Sequence, residues 1–207
     1  MAVLPLADLR DGGAADAQGF VFTSVIPQDL TGFSVSSAGD INADGFDDLL
    51  IGAPIAPGFP AGTGSTYVIY GKATGFTDVV LTPNIAAADG KWLFGLNAAD
   101  HLGFSVSDVG DVNADGFHDF VIGAPYADRS TGTGTAFGTG QAYLVFGSAN
   151  PLPNLNALNG TNGVLLQGLL QYDRAGQSVS GAGDVNGDGY DDFLIGTPVE
   201  DPTSLSA

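Results

Sequence analysis

One nine-residue stretch decides the fold of this chain: DINADGFDD, at residues 40–48. The same pattern returns as DVNADGFHD at 111–119 and as DVNGDGYDD at 184–192. In every copy, side chains with oxygen atoms stand at positions 1, 3, 5 and 9, and glycine stands at position 6. A short loop with this spacing can wrap a hard cation in oxygen ligands. The stretch therefore predicts a ligand and a structural period together.

The sequence on both sides of each loop repeats as well. The loops start at Asp40, Asp111 and Asp184, so the period is 71 and then 73 residues. The residues before the loops read GFSVS at 32–36, GFSVS at 103–107 and GQSVS at 176–180, and those after them read LLIGAP at 49–54, FVIGAP at 120–125 and FLIGTP at 193–198. Short apolar runs bounded by Gly and Pro are typical of β-strands. Each loop is therefore expected to join two neighbouring strands as a long hairpin.

Further strands are predicted after the first two hairpins. A third strand is predicted at 64–71 and 140–147, and a fourth at 92–95 and 164–168, with 20–25 taking the part of a fourth strand ahead of the first unit. Four strands per unit, with no helix between units, are typical of β-propeller blades. The predicted fold is all-β: blades of four antiparallel strands, with the oxygen-rich loop between the first and second strands of each blade.

The domain organisation follows from these repeats. Residues 1–19 are interpreted as an N-terminal lead, and residues 20–207 as the propeller region. Its units run over about 32–102, 103–175 and an incomplete 176–207. Because a closed propeller normally needs four or more blades, the chain is expected to be part of a longer protein, or a protomer whose propeller another chain completes. Two segments, 127–141 and 150–162, are predicted as surface excursions, either binding loops or inert spacers.

Composition excludes several classes of function. The chain has 207 residues, 23 acidic and 5 basic, and a formal net charge of -18, so a nucleic-acid partner is not expected. It has no Cys, which excludes disulfides, thiol catalysis and Cys-based zinc sites. No apolar run of transmembrane length is present in the sequence, and the first residues do not have the pattern of a secretory signal.

The loops differ from the EF-hand, the other common calcium loop. An EF-hand requires Glu at position 12 and flanking helices, whereas this position holds Ile51, Ile122 and Ile195 in predicted strands. A solvated turn rich in Asp, Asn and Gly remains an alternative. The side chains at position 8 are expected to point to solvent; they are Asp47, His118 and Asp191.

No catalytic constellation accompanies the two histidines of the chain, His101 and His118. Neither a G-x-S-x-G elbow nor an H-E-x-x-H helix is present. A surface or loop role is therefore expected for both. Tyr126 and Tyr172 lie next to loops and are candidates for contacting a partner.

These residues resemble the FG-GAP repeat, the blade unit of the integrin alpha-subunit propeller. The Gly-Ala-Pro marker is intact at 52–54 and 123–125 and reads Gly-Thr-Pro at 196–198. The Phe-Gly marker is altered, because its order is reversed at 32–33 and 103–104, and its aromatic is missing at 175–176. The resemblance implies a calcium-binding β-propeller that is usually extracellular and usually adhesive or scaffolding. Related repeats also accompany some lipase and lyase domains.

The resemblance also implies the calcium ligands: the side chains at positions 1, 3, 5 and 9, and the main-chain carbonyl at position 7. The three implied sites are Asp40, Asn42, Asp44, Phe46 and Asp48; Asp111, Asn113, Asp115, Phe117 and Asp119; and Asp184, Asn186, Asp188, Tyr190 and Asp192. All three sets are complete, so three Ca2+ ions are expected.

The function expected from the sequence is a calcium-binding, non-enzymatic structural or adhesion module of a larger extracellular or cell-surface protein. Its expected partners are calcium and an extracellular protein or glycan, without nucleic acid. Two alternatives stay open. The chain is an accessory propeller domain of a secreted enzyme, or it is a self-assembling fragment in which a homo-oligomer completes the propeller.

Overall fold

The computed structural model of the protein describes residues 21–56, 62–73, 79–131 and 134–198. Over these ranges it has fourteen strands and one short 3-10 helix, Leu155–Ala157. The strands are β1 Phe22–Ser24, β2 Ser34–Gly39, β3 Asp48–Ala53, β4 Ser65–Ile69, β5 Val79–Leu81, β6 Gly90–Phe94, β7 Ser105–Gly110, β8 Asp119–Ala124, β9 Arg129–Thr131, β10 Gly134–Ala136, β11 Gln141–Val145, β12 Gly163–Gln167, β13 Ser178–Gly183 and β14 Asp192–Gly196.

Two four-stranded antiparallel sheets form the body of the described structure. The first blade has the order β2-β3-β4-β6, and the second has the order β7-β8-β11-β12. A third hairpin, β13-β14, repeats the first two strands of a blade. The prediction of all-β propeller blades is thus confirmed, and the described sheets do not close into a ring. The predicted boundary at residue 20 lies outside the described residues and stays a prediction.

The middle strands are buried because each of their two faces packs on a different neighbour. Side chains alternate between the faces of a strand. On β8, Phe120 and Ile122 face the first blade and pack in one cluster with its Leu50. Val121 points the other way, towards Phe193 of the third hairpin. This arrangement explains why the sequences of the middle strands are continuously apolar instead of alternating.

The outer face of the first blade is covered by a pair of short strands. β1 pairs with β5 in parallel, with Phe22 opposite Val79. Leu81 and Phe22 pack there against Ile51 and Tyr67 of the first blade. The predicted strand at 20–25 therefore exists in its described part. However, it belongs to this pair instead of a four-stranded blade, and the sequence analysis did not identify its partner.

Neighbouring blades are joined through their inner strands. The Ser34 hydroxyl donates to the Gly103 carbonyl at 2.9 Å, and the Ser105 hydroxyl donates to the Gly176 carbonyl at 2.8 Å. The hydroxyl of Ser107 also accepts a hydrogen bond from the Gly181 amide at 3.2 Å. Small Gly and Ser residues allow this close approach, which explains the composition of β2, β7 and β13.

The two predicted surface excursions differ from each other. Segment 127–141 carries the β9-β10 hairpin. Segment 150–162 is only partly at the surface, because Leu152 and Leu155 are buried in the core between the first two blades. Leu155 belongs to the short 3-10 helix and Leu152 precedes it, and the burial of both side chains stabilises the fold, so this segment is not an inert spacer.

Candidate metal centres

The three oxygen-rich loops lie at equivalent places in the fold. Each follows a glycine with positive φ at the end of an inner strand: Gly39, Gly110 and Gly183, with φ of 61°, 72° and 67°. The strand register shifts at each of these glycines, as in a β-bulge. The predicted placement of a loop between the first and second strands of each blade is confirmed.

Within the first loop, side-chain oxygens hold the backbone of the loop itself. The Asp40 carboxylate accepts hydrogen bonds from the amides of Asp44 at 3.0 Å and Gly45 at 2.9 Å. The Asn42 side-chain oxygen accepts from the Asp44 amide at 2.9 Å, and the Asp44 carboxylate accepts from the Phe46 amide at 3.0 Å. Such local bonds explain why Asp and Asn build this loop and why Gly, at φ 90°, follows them.

The other two loops reproduce these bonds closely. In the second loop, Asp111 accepts from Asp115 at 3.1 Å and Gly116 at 2.8 Å, Asn113 accepts from Asp115 at 2.9 Å, and Asp115 accepts from Phe117 at 3.0 Å. In the third, Asp184 accepts from Asp188 at 3.1 Å and Gly189 at 2.9 Å, Asn186 accepts from Asp188 at 2.8 Å, and Asp188 accepts from Tyr190 at 3.0 Å. These amide donors lower the pKa of Asp184. The repeated geometry shows that the nine-residue pattern encodes one loop conformation.

The carboxylates at position 9 have a second task. Asp119 accepts from the Val112 amide at 3.0 Å and from the Gly147 amide, which follows the third strand of the blade, at 2.9 Å. Asp48 makes the matching bonds to the amides of Ile41 at 3.0 Å and Gly71 at 2.7 Å. Both aspartates are fully buried. At Asp48 and Asp119, position 9 therefore connects its loop to the end of the third strand.

In the third loop, the position-9 residue has less support. The Asp192 carboxylate accepts from the Val185 amide at 3.1 Å. Its side chain is partly exposed, unlike those of Asp48 and Asp119. The described part of the third hairpin includes no third strand from which a second amide could reach it.

Burial changes the protonation of the two enclosed aspartates. It raises the pKa of Asp48 to about 6 and that of Asp119 to about 7, and the nearby carboxylates of the same loops add to the rise. The amide donors oppose it. Holding these groups ionised therefore has a cost, which a cation in the loop would offset.

The chemistry of the loops fits calcium. Each loop offers three carboxylates and one amide oxygen, which are hard donors. A carboxylate oxygen that accepts one amide hydrogen keeps further acceptor capacity. Two ion pairs join described residues, Lys72 with Asp89 and His118 with Asp108, and neither includes a carboxylate of the predicted ligand sets.

The side chains do not converge on a single point. Across the described ranges, no group of three or more acidic or histidine side chains forms a ready-made metal cluster. The loops thus order the predicted ligands around one turn, while their oxygens remain bonded to loop amides. The ligand roles of all fifteen residues, including the carbonyls of Phe46, Phe117 and Tyr190, stay predictions.

Position 8 was expected to point to solvent; His118 is exposed and Asp191 is partly buried, and both also contact the preceding blade. His118 Nδ1 lies 3.0 Å from Asp108 Oδ1, and the imidazole ring lies against Gly39. Asp191 Oδ2 accepts from the Asp111 amide at 2.9 Å. Asp47 is exposed, as expected. The sequence carried no signal for the contacts of His118 with Gly39 and of Asp191 with Asp111, because these partners are distant along the chain.

A second repeated aspartate was missed by the sequence analysis. Asp29 and Asp100 are 4% and 3% exposed, and Asp173 is the third member at the same period. Each carboxylate accepts a hydrogen bond from a nearby backbone amide. The donors are Thr31 for Asp29 at 3.0 Å, Asn97 for Asp100 at 3.2 Å and Leu170 for Asp173 at 2.8 Å. Residues with positive φ stand on both sides of each aspartate. Extending the repeat comparison upstream of the inner strands would have found this turn.

The raised pKa values predict how stability depends on pH. A carboxyl group with a pKa above 3.8 in the folded state binds more protons than it does in the unfolded chain, so its contribution to stability falls as pH rises from about 4 to about 7. In EDTA, the melting temperature should fall by several degrees, about 5 °C, between pH 5 and pH 8. Added calcium should remove this fall, because the ion favours the ionised carboxylates.

Thermal melts at pH 5, 6, 7 and 8, with EDTA or calcium, check this prediction. The control is the double variant Asp48→Asn and Asp119→Asn, whose side chains do not titrate. Its melting temperature in EDTA should change less with pH than that of the wild-type protein. A wild-type melting temperature that rises towards pH 8 in EDTA would contradict the prediction.

The fold and the loops together define a protein built of β-propeller blades with one oxygen-rich loop in each hairpin. The sequence pattern of the family described as "FG-GAP repeat" matches residues 31–69, 104–145 and 175–207. These matches cover more than half of the chain. The chain belongs to the FG-GAP repeat family, and the resemblance noted from the sequence is confirmed.

Curated relatives carry two kinds of name. A protein of Bos taurus named phosphatidylinositol-glycan-specific phospholipase D is 33% identical over 174 residues, which are 83% of this chain and 19% of that protein. Integrin alpha-PS5 of Drosophila melanogaster is 30% identical, covering 81% of this chain and 15% of its own length, and integrin alpha-5 of Xenopus laevis is 32% identical, covering 80% and 14%. The chain therefore spans a fifth or less of these relatives, one named as an enzyme and two as integrin subunits.

The described residues include no helix that is both long and apolar enough to cross a membrane.

Proposed function

We propose that this chain is a calcium-binding, non-enzymatic module of FG-GAP blades that serves adhesion or scaffolding outside the cell or at its surface. The observation that carries the proposal is the matching local geometry of three loops whose carboxylates form no ion pair with a cationic side chain among the described residues. Solvated turns would not require three carboxylates per loop, nor would they bury the position-9 carboxylate, as the first two loops do at Asp48 and Asp119.

Calcium has a structural role in this proposal. In each loop, the side chains at positions 1, 3, 5 and 9 and the carbonyl at position 7 hold the ion. The bound cation neutralises carboxylates that otherwise repel one another. Three divalent ions add six positive charges and change the formal net charge from -18 to -12. Because Asp48 and Asp119 also bond to the amide that follows the third strand, an ion in the first or second loop stabilises more than the loop itself.

The environment of the histidines supports a non-enzymatic role for the described residues. The ring of His101 lies 4.7 Å from that of Tyr126, and burial lowers its pKa. His118 is bonded to Asp108. Both histidines therefore make structural contacts. The bovine relative named as a phospholipase D favours the second candidate, in which these blades accompany the catalytic part of a longer enzyme.

A protein or glycan partner is proposed at the ends of the blades opposite to the calcium loops. Phe33, just before β2, is 52% exposed, and its ring lies 5.0 Å from that of Phe104. Tyr126 continues this row at 6.0 Å, and the guanidinium of Arg174 lies over its ring. Tyr172 is exposed nearby in sequence. Exposed aromatic side chains in a row are a common basis for recognition.

Assembly with another blade is proposed at the open sides. Leu194 of the third hairpin is 64% exposed, and Val35 of the first blade is 67% exposed. An apolar groove of about 440 Å³ lies beside the third hairpin, with Leu166, Ala142 and Ile195 among its lining residues. A further blade, from the same or another chain, would bury these surfaces. Sedimentation equilibrium with and without calcium separates a monomer from a homo-oligomer.

Calcium titration after EDTA treatment tests the central proposal. Isothermal calorimetry should give three sites for the chain, and Asp188→Ala should reduce the number to two because the third loop loses a carboxylate ligand. Asp89→Ala is the matched control, since Asp89 is exposed, lies outside the loops and pairs with Lys72 at 3.0 Å. Its stoichiometry should stay at three. The proposal is wrong if the wild-type chain shows neither heat of binding nor a calcium-dependent rise in melting temperature.

A further inference from the structure

A two-point contact joins the third loop to the second. The Asp191 amide donates to the Asp111 carbonyl at 3.2 Å, and Asp191 Oδ2 accepts from the Asp111 amide at 2.9 Å. Asp191, at position 8 of the third loop, thus forms hydrogen bonds with both the amide and the carbonyl of Asp111, at position 1 of the second loop. Asp111 is the first predicted calcium ligand of its own loop.

This contact requires a glycine at position 110, where the Asp191 side chain occupies the space of a Cβ atom. Gly110 has a φ of 72°, and a Cβ atom placed on it would lie 2.0 Å from Asp191 Oδ2. Gly39 has the equivalent position next to His118, where a Cβ atom would lie 2.1 Å from Nδ1. Any larger residue at these positions would push the position-8 side chain away. The sequence pattern therefore includes both halves of the contact, although they are far apart along the chain.

Asp111, which Asp191 holds in place, orders the second loop in turn. The two carboxylate oxygens of Asp111 accept the amides of Asp115 at 3.1 Å and Gly116 at 2.8 Å. A fixed main chain at Asp111 reduces the freedom of its carboxylate, and hence of the turn that carries Asp115. Partners that orient metal ligands commonly change metal affinity by 10- to 100-fold.

The contact between the first two loops includes the main-chain hydrogen bond but not the side-chain hydrogen bond. The His118 amide donates to the Asp40 carbonyl at 3.3 Å, which matches the amide bond of Asp191. However, the imidazole is bonded to Asp108, whereas the Asp191 carboxylate accepts from the loop that it supports. The first and second loops therefore differ in support while having the same ligand pattern.

We infer that Asp191 is a positioning residue for the calcium site of the second loop, acting through Asp111, and that it couples the second site to the third. Asp191 stands between Tyr190 and Asp192, two predicted ligands of the third site. Calcium bound there fixes Asp191 and thereby favours calcium in the second loop. By thermodynamic linkage, calcium in the second loop favours the third site equally. The inference rests on the proposed calcium binding.

Site-resolved titration tests this coupling. The amide signals of Gly45, Gly116 and Gly189, at position 6 of the three loops, report each site separately in NMR spectra during calcium addition. Asp191→Ala should weaken binding at Gly116 by about 10-fold and leave Gly45 unchanged. Asp191→Asn, which keeps an oxygen acceptor for the Asp111 amide, should restore most of the affinity. Asp47→Ala, an exposed position 8, is the control and should leave Gly116 unchanged.

The outcomes separate the inference from the proposal on which it rests. Unchanged binding at Gly116 in Asp191→Ala overturns the positioning role, and a wild-type chain without a calcium response at any of the three glycines overturns the proposed function. If Asp191→Ala unfolds the third hairpin, Asp188→Ala provides the decision. Loss of the third site should lower the affinity at Gly116 several-fold, and an unchanged Gly116 titration refutes the coupling.

Discussion

Replacing Asp119 with alanine should lower the free energy of unfolding by about 2–5 kcal/mol in EDTA, before any calcium effect is counted. The Asp119 carboxylate is fully buried and accepts the amides of Val112 and Gly147. Alanine leaves both donors without an acceptor in a place that water does not reach. Each unsatisfied buried donor costs about 1–3 kcal/mol, and the space left by the side chain adds to the loss.

Asp192→Ala is the matched control in the third loop. Asp192 has the same place in the pattern, but it is partly exposed and accepts one described amide, that of Val185. Water can replace the lost acceptor, so the expected loss in EDTA is below about 1 kcal/mol. Urea unfolding of both variants measures the difference. Equal losses would show that the second bond of Asp119, to the amide after the third strand, has no stabilising effect.

Gly123→Ala should be nearly as damaging, with a loss of about 3 kcal/mol from overpacking. A Cβ atom at Gly123 would lie 2.0 Å from the carbonyl oxygen of Gly176 in the next hairpin. That carbonyl cannot retreat freely, because it accepts the Ser105 hydroxyl at 2.8 Å. The third hairpin would have to move away from the second blade and expose Val121 and its neighbours.

Gly196→Ala provides the control at the equivalent position of the third hairpin. The nearest atom to a Cβ there is the Ser178 hydroxyl at 2.2 Å, and the next two, at 3.5 Å, also belong to Ser178 of the same hairpin. Rotation of that side chain makes room, so the expected loss is below about 1 kcal/mol. Urea unfolding curves for both variants provide the measurement. Comparable stability of the two variants would refute the argument that blade spacing is limited at Gly123.

The sequence predicted the hairpins and loops well because their signals are local. All four side-chain positions of a loop lie within nine residues, and the bonds from Asp40 to Asp44 and Gly45 span the same short stretch. The repetition of this stretch with its apolar flanks also located the strands of both blades. Local chemistry and a fixed period were sufficient for this part of the fold.

Features that depend on distant pairs were not predicted. β5 has three residues, and its pairing with β1 joins segments more than fifty positions apart. The contact of Asp191 with Asp111 depends on the packing of one blade on the next. Leu155 lies in a segment rich in Asn and Pro, so its burial in the core had no periodic signal. In each case the information lies in tertiary packing instead of residue spacing.

The bonds between inner strands have a consequence for curvature. The hydrogen bond from Ser34 to the Gly103 carbonyl and the one from Ser105 to the Gly176 carbonyl have nearly equal lengths. A Cβ atom placed on Gly52 or Gly123 would lie at nearly equal distances from the same two carbonyl oxygens, respectively. The turn from one blade to the next is therefore set by contacts of serine hydroxyls and glycines with main-chain carbonyls, which do not change when apolar side chains between the blades are exchanged. A constant turn angle bends a row of repeats along a circular arc. The circumference of that circle is then set by these close contacts, while the apolar residues determine the stability of the contact between neighbouring blades.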